Sequence, residues 1–307
     1  MRAITYSQYG DADVLELTEQ PDPHPGADAV VVRVRAASVN PVDWKVRQGY
    51  LDGLMDAHFP VVPGWDVAGV VEQVGLDTPE YAVGDEVYGY VRTDVVHGGT
   101  FAELVAAPVR TLARKPRSLT FEEAAAVPLA GLTALQTIRR SGVRDGHTVL
   151  VHAAAGGVGA FAVQIARSLG ARVLGTASEA NHEFLRSLGA EPVTYGDGLA
   201  ERVRELAPDG VDVALDYVGG DAVATSAAVL ADGGTITSIT DPAARDEHGG
   251  QYVWVRPSTS DLDDLAAMFD AGTLRVEVAE TYELADTAAA HRASEGGHVR
   301  GKIVVRV

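Results

Sequence analysis

A chain of 307 residues with 46% hydrophobic and 22% charged residues has the composition of a globular protein with a sizeable core, at roughly 150 residues per domain two domains or one large one. Lys and Arg number 25 against 43 Asp and Glu, and a net charge of −18 excludes general attraction to nucleic acid or an anionic membrane surface. The absence of cysteine excludes disulfides, thiolate zinc sites and a cysteine nucleophile.

The opening MRAITYSQYG lacks the basic-then-apolar layout of a signal, and no apolar run approaches the roughly 18 residues of a membrane span. A soluble, cytoplasmic protein is expected. The first third reads as short strands at 30–35, 67–74, 86–88 and 101–105, separated by Pro and Gly clusters such as Pro21 to Gly26. Thr120 with Glu123 suits a capping box ahead of Ala124, and a helix is expected over 132–140.

From Thr148 the chain alternates between strand and helix. Thr148 to His152 is a strand, and Phe161, Ile165 and Leu169 recur every four residues up to Gly170, as on an amphipathic helix closed by glycine. Further strands are expected at 172–176, 211–217 and 235–240, with helices at 181–188, 199–206 and 222–230. Near-continuous apolar strands joined by helices predict a parallel sheet covered on both faces. The last part suggests a helix over 260–271 and strands at 274–278 and 302–307 with a helix between; a return of these strands to the first sheet would make that domain discontinuous.

The segment Val149 to Gly159 places Ala154, Gly156, Gly157, Val158 and Gly159 where a strand turns into a helix. That is the context of a dinucleotide-binding turn, in which small residues let the backbone approach a pyrophosphate resting on helix N-terminal amides. Ala154 replaces the first glycine of the usual fingerprint; the competing reading is a tight turn without a cofactor. Ser178 falls at the end of the second strand, where an NAD site wants a carboxylate. A neutral donor there tolerates a 2′-phosphate, and Asn181, His182 and Arg186 lie just beyond, so NADPH is favoured over NADH. Glu179 dissents, and Ser178 also suits a helix cap.

The chain resembles the zinc-independent quinone oxidoreductase and enone reductase branch of the medium-chain dehydrogenase/reductase superfamily. The resemblance runs over essentially the whole length, through Ser38 to Lys45 with Arg47 and Gly49, Pro63 to Val71, Val83 to Gly89, Gly98 to Glu103, Gly131 to Ala134, Ala153 to Gly159, and Gly301 to Val304. It implies an α/β fold in which a discontinuous, mostly β GroES-like substrate domain (1–118 and 256–307) flanks a doubly wound Rossmann domain (119–255), with the active site between them. Family members are commonly homodimers through sheet edges. Zinc-dependent relatives use a Cys and a His-Glu pair where this chain has Asn40, Trp65 and Asp66, and no close His pair occurs among its nine histidines, so zinc is not expected.

Without a Lewis acid, a nicotinamide enzyme needs an acceptor that takes hydride readily, such as a quinone or a C=C conjugated to a carbonyl. By resemblance Asn40, Asp43, Lys45 and Tyr50 line the acceptor, Thr133 meets the nicotinamide half and Tyr195 lies near the adenosine phosphate. Each has a plainer reading: Asn40 as a turn residue before Pro41, Asp43 as a helix cap, Lys45 as a solvated side chain. Trp65, Tyr252 and Trp254 suit core packing or a pocket wall. The function expected is metal-free, NADPH-dependent hydride transfer to a small-molecule quinone or enone. The alternative is an NADPH-binding redox sensor or scaffold without turnover.

Overall fold

The computed structural model describes residues 1–307. The first elements are β1 (Arg2–Thr5), β2 (Glu16–Glu19), β3 (Ala29–Val39), α1 (Pro41–Arg47), β4 (Asp56–Val62), β5 (Asp66–Val74), β6 (Glu86–Tyr90), β7 (Val95–Gly98), β8 (Leu104–Pro108), β9 (Leu112–Arg114), α2 (Phe121–Ala125) and α3 (Pro128–Ser141). An alternating stretch follows: β10 (Thr148–Val151), α4 (Gly157–Ser168), β11 (Arg172–Ala177), α5 (His182–Ser187), β12 (Glu191–Thr194), α6 (Leu199–Leu206), β13 (Val211–Asp216), α7 (Ala222–Val229), β14 (Leu230–Ser238), α8 (Ala243–Asp246) and β15 (Gln251–Tyr252). The chain ends with α9 (Thr259–Asp270), β16 (Val278–Glu283), α10 (Thr287–Glu295) and β17 (Lys302–Arg306).

Two compact units result. One comprises Met1–Leu132, Arg256–Gly272 and Val276–Val307; the other comprises Thr133–Val255 with Thr273–Arg275. The first unit is built on a seven-stranded sheet in the order β16-β17-β3-β5-β6-β9, with β8 also pairing β3. The C-terminal strand returns to this sheet: β17 runs antiparallel to β3, with Ile303 opposite Val39 and Val305 opposite Ala37. Val30, Val32, Val34, Val67, Val71, Phe101, Leu112 and Val305 form its core. The first unit extends through α2 to Leu132, beyond the boundary at 118 expected from sequence, because α2 packs on β3 and β5 and the Leu129 N–H donates to Asp66 Oδ1 at 2.8 Å.

The second unit carries a six-stranded, all-parallel sheet in the order β12-β11-β10-β13-β14-β15. Counted within the unit this is 3-2-1-4-5-6, the doubly wound order, whose direction reverses between β10 and β13. Leu150, Leu174, Val193, Val203, Val211, Ala214 and Ile236 fill its core. The capping box on α2 is formed, Glu123 N–H donating to Thr120 Oγ1 at 3.2 Å and Thr120 N–H to Glu123 Oε2 at 2.9 Å.

Several boundaries differ from the sequence pattern. Leu169 lies past the end of α4 and is 43% exposed, so that helix's buried face ends at Ile165 and Ala166. The strand expected at 274–278 forms instead at β16, pulled into register by pairing with β17. Helix α1, over the Pro41 to Arg47 run, and strands β7, β12 and β15 are too short to give a periodic signal, and β4 is broken by Pro60.

Candidate cofactor site and buried polar centre

Strand β10 leads into a turn tied down on both sides. His152 N–H donates to Leu215 O at 2.9 Å, Ala153 N–H to Thr176 Oγ1 at 3.1 Å and Ala154 N–H to Thr176 O at 3.0 Å. Ala153 takes a left-handed φ of 51°, a conformation that a small side chain tolerates at modest strain. Gly156 caps α4, and the first-turn amides of Gly157, Val158 and Gly159 are donors that the helix leaves without an internal acceptor. Gly159 has to be glycine, since a Cβ there would lie 2.3 Å from Ala153 O and 2.6 Å from Ala154 Cα.

The departure from the usual fingerprint also has a physical account. The buried methyl of Ala154 would stand 2.9 Å from a Cβ on Gly175, so β11 makes room for the residue that replaces the first glycine. These donors open at the carboxyl end of β10, beside the sheet's reversal point, which suits a dinucleotide's diphosphate. Across that point β13 ends in Asp216, which the sequence reading missed. Its Oδ1 accepts the N–H groups of Val218 and Gly219 at 2.9 and 2.8 Å, and its Oδ2 accepts the hydroxyls of Ser238 at 2.6 Å and Thr240 at 2.9 Å. That fixes the Gly219–Gly220 loop. Burial lowers the His152 imidazole to about 4, so it is neutral, with Nε2 paired to Ser226 Oγ at 2.9 Å.

The residues expected at the adenosine end lie beyond adjacent strand ends. Ala177 pairs with Thr194, and Ser178 and Tyr195 are the next residues on their strands. Ser178 is half-buried, with Asn181 Nδ2 donating to its hydroxyl at 3.4 Å. His182 Nε2 lies 3.4 Å from Thr194 Oγ1, and Tyr195 is exposed. Arg202, absent from the sequence reading, donates to the carbonyls of Thr194, Gly196 and Asp197 and holds the loop carrying Tyr195. Arg186 is occupied by Glu183, and Glu179 is exposed. Thr133 is buried on α3; one turn later Thr137 Oγ1 donates to Thr133 O at 2.7 Å and receives the Tyr217 hydroxyl at 2.7 Å.

The acceptor-side candidates belong to the first unit. Asn40 ends β3 and precedes α1; its N–H donates to Asp43 Oδ2 at 2.7 Å, so Asp43 caps the helix. The Asn40 side chain is 2% exposed, with Nδ2 donating to Asp66 Oδ2 at 2.9 Å and Oδ1 receiving Lys302 Nζ at 2.5 Å. Burial pushes the Asp43 carboxyl up to about 7; the Asn40 N–H opposes this, Asp66 adds to it and Lys302 eases it. Lys45 Nζ lies 5.5 Å from the Trp44 ring centre, and Tyr50, 70% exposed, meets Trp44 edge-on at 6.4 Å. Trp65 is a core residue, edge-on to Tyr90 at 6.0 Å. In the second unit, Tyr252 is half-buried in β15 and Trp254 is at the surface.

The residues at the positions of zinc ligands in the resembling family do not fit zinc. Trp65 offers no donor for a metal, both Asp66 oxygens already accept hydrogen bonds, and the Lys302 ammonium 4.0 Å from Asp66 would repel a dication. No group of three or more His, Cys, Asp or Glu side chains is placed to hold a metal ion. No helix is long and apolar enough to cross a membrane.

Residues 26–117 match the alcohol dehydrogenase GroES-like domain family, and residues 188–305 match the zinc-binding dehydrogenase family. The chain is 38% identical to the 2-methylene-furan-3-one reductase of Solanum lycopersicum over 247 residues, 78% of this chain and 62% of that protein. It is 35% identical to the chloroplastic NADPH-dependent alkenal/one oxidoreductase of Arabidopsis thaliana, across 99% of this chain and 79% of the relative. The structure of the quinone oxidoreductase from Coxiella burnetii superposes with a TM-score of 0.89 at 34% identity, covering 100% of this chain and 99% of that one. With both domain families matched in order and the doubly wound sheet in place, the chain belongs to the medium-chain dehydrogenase/reductase superfamily, among its quinone and alkenal/one oxidoreductases.

Proposed function

We propose that the chain is a metal-free, NADPH-dependent reductase of quinones or of the C=C bond of α,β-unsaturated carbonyls. The observation that carries this reading is the glycine-lined turn from β10 into α4 at the reversal point of a 3-2-1-4-5-6 sheet. The names of the relatives support the substrate class, and the donor chemistry around Asn40, Trp65 and Asp66 supports the absence of zinc.

Bound NADPH would supply the hydride. In this reading the amides of Gly157, Val158 and Gly159 hold the diphosphate, with Ala154 and Gly156 shaping the turn. Ser178 and His182 donate to the 2′-phosphate, and Tyr195 flanks the adenosine. Thr133 borders the nicotinamide half. On the acceptor side Asn40 donates to the carbonyl oxygen that gathers negative charge, Asp43 fixes the helix start that presents it, and Lys45 and Tyr50 border the acceptor. The reading also includes a cytoplasmic homodimer; β15 is paired on one side only and offers an edge for a second sheet.

Mixing the pure protein with NADPH and an acceptor panel, and following the loss of reduced-nicotinamide absorbance, tests the reading. Consumption with quinones or enones is expected. Tight NADPH binding with no turnover on any acceptor would leave a redox sensor or scaffold instead.

A further inference from the structure

The sequence matches Gly301 to Val304 but assigns the motif no chemistry, and the structure puts its lysine among buried polar groups. Asp66 is 0% exposed, Asn40 2% and Lys302 5%. Asp66 Oδ2 accepts Ser38 Oγ and Asn40 Nδ2, each at 2.9 Å, while its Oδ1 accepts the Leu129 N–H. Lys302 Nζ donates to Val39 O at 3.0 Å and to Asn40 Oδ1. An ammonium has no acceptor and a carboxylate has no donor, so only one orientation of the Asn40 amide satisfies both neighbours. A flipped amide would face Nδ2 toward Lys302 and Oδ1 toward Asp66, leaving buried charges unsatisfied.

We infer that Lys302 is a positioning residue that, with Asp66 opposite, locks the Asn40 amide in one orientation. This rests on the reading that Asn40 donates to the acceptor oxygen. Asn40 Nδ2 has two hydrogens and Asp66 takes one, leaving a donor whose direction Lys302 sets. The ammonium on Oδ1 also polarises the amide and strengthens that donor in a medium of low dielectric. Burial raises the two acids alongside, Asp43 and Asp66, and the Lys302 charge opposes that rise in both; Tyr6 also feels Asp43 and Arg47, and Tyr90 feels Asp43, Asp66 and Arg92.

The test uses the full chain with four changes: Lys302→Met, Lys302→Arg, Lys302→Met combined with Asp66→Asn, and Asn40→Ala. The paired substitution removes the Lys302–Asp66 charge pair together, so Asp66 is not left as a buried carboxylate without its cation and the test stays open if Lys302→Met fails to fold. With NADPH and either menadione or methyl vinyl ketone, loss of Lys302 lowers kcat about 10- to 100-fold. The KM for NADPH stays within about twofold, because the nucleotide turn is untouched. Lys302→Arg recovers most of the rate. Removing the cation moves the limb of the pH profile belonging to Asp43 and Asp66 to higher pH, whereas Lys302→Arg leaves it in place.

Adding Lys302→Met to Asn40→Ala costs nothing further, since both act through one amide. A second readout needs neither NADPH nor acceptor: the Asn40 side-chain amide resonances, identified by their loss in Asn40→Ala, shift and broaden without Lys302. Unchanged resonances, or a folded paired variant with parental kcat, would overturn the inference. A parent protein that reduces no acceptor would sink the functional reading alone, and the resonances would still decide the role of Lys302.

Discussion

Ser178 and Asp43 show how one side chain can be tuned by where the backbone leaves it. Ser178 follows β11 directly, in the place where a carboxylate would exclude a 2′-phosphate. Ser178→Asp is expected to weaken NADPH by about 10- to 100-fold, the loss of a hydrogen bond to a charged group of about 1.5–3 kcal/mol. NADH should change by less than about threefold; equal losses in a fluorescence titration would remove the assignment. Asp43 carries a pH dependence of definite sign. Unfolded, its carboxyl releases its proton near 3.8; folded, burial holds the proton up to about 7. Between those values the folded chain binds more protons, so Asp43 subtracts stability as pH rises through the interval. Asp43→Asn keeps an oxygen for the Asn40 N–H, and its Tm relative to the parent should climb from pH 4 to pH 7. A flat difference would show that Asp43 titrates as an ordinary carboxyl.

The strand–turn–helix of β10 and α4 is where local pattern and packing agree. The apolar strand, the small residues and the repeat of Phe161 and Ile165 are readable along the chain because each depends on neighbours a few residues away. The compensation of Ala154 by Gly175 is not readable, since it depends on two parallel strands lying side by side. Gly159→Ala tests the element: its methyl would collide with backbone rather than with a movable side chain. A stability loss of about 1–3 kcal/mol by denaturant unfolding is expected, with at least tenfold weaker NADPH binding. If neither changes, α4 does not press on the turn as described.

Over the whole molecule, two sheets built from one chain divide the labour. The parallel sheet of the second unit offers the turn proposed to hold the nucleotide, and the first unit gathers residues from β3, β5 and β17 into one buried polar centre. That centre already contains a cation, Lys302, beside Asp66 and Asn40, which is what the proposed metal-free reading rests on. Dialysis against a chelator should leave turnover with NADPH unchanged, and metal analysis should find far less than one zinc per chain; a rate lost to the chelator and restored by zinc would contradict the metal-free reading.

The sequence by itself determined the alternating strands and helices, the glycine-lined turn from β10 into α4 and the residue that follows the second strand, because these follow from local spacing. The return of the last strand to the first domain is already implied by the resemblance; the tertiary structure decided its antiparallel register on β3 and that Lys302 reaches Asn40 across 262 residues. A buried ammonium has to find an acceptor, but which acceptor it finds depends on which strands become neighbours and in what register, and local spacing along the chain does not fix that.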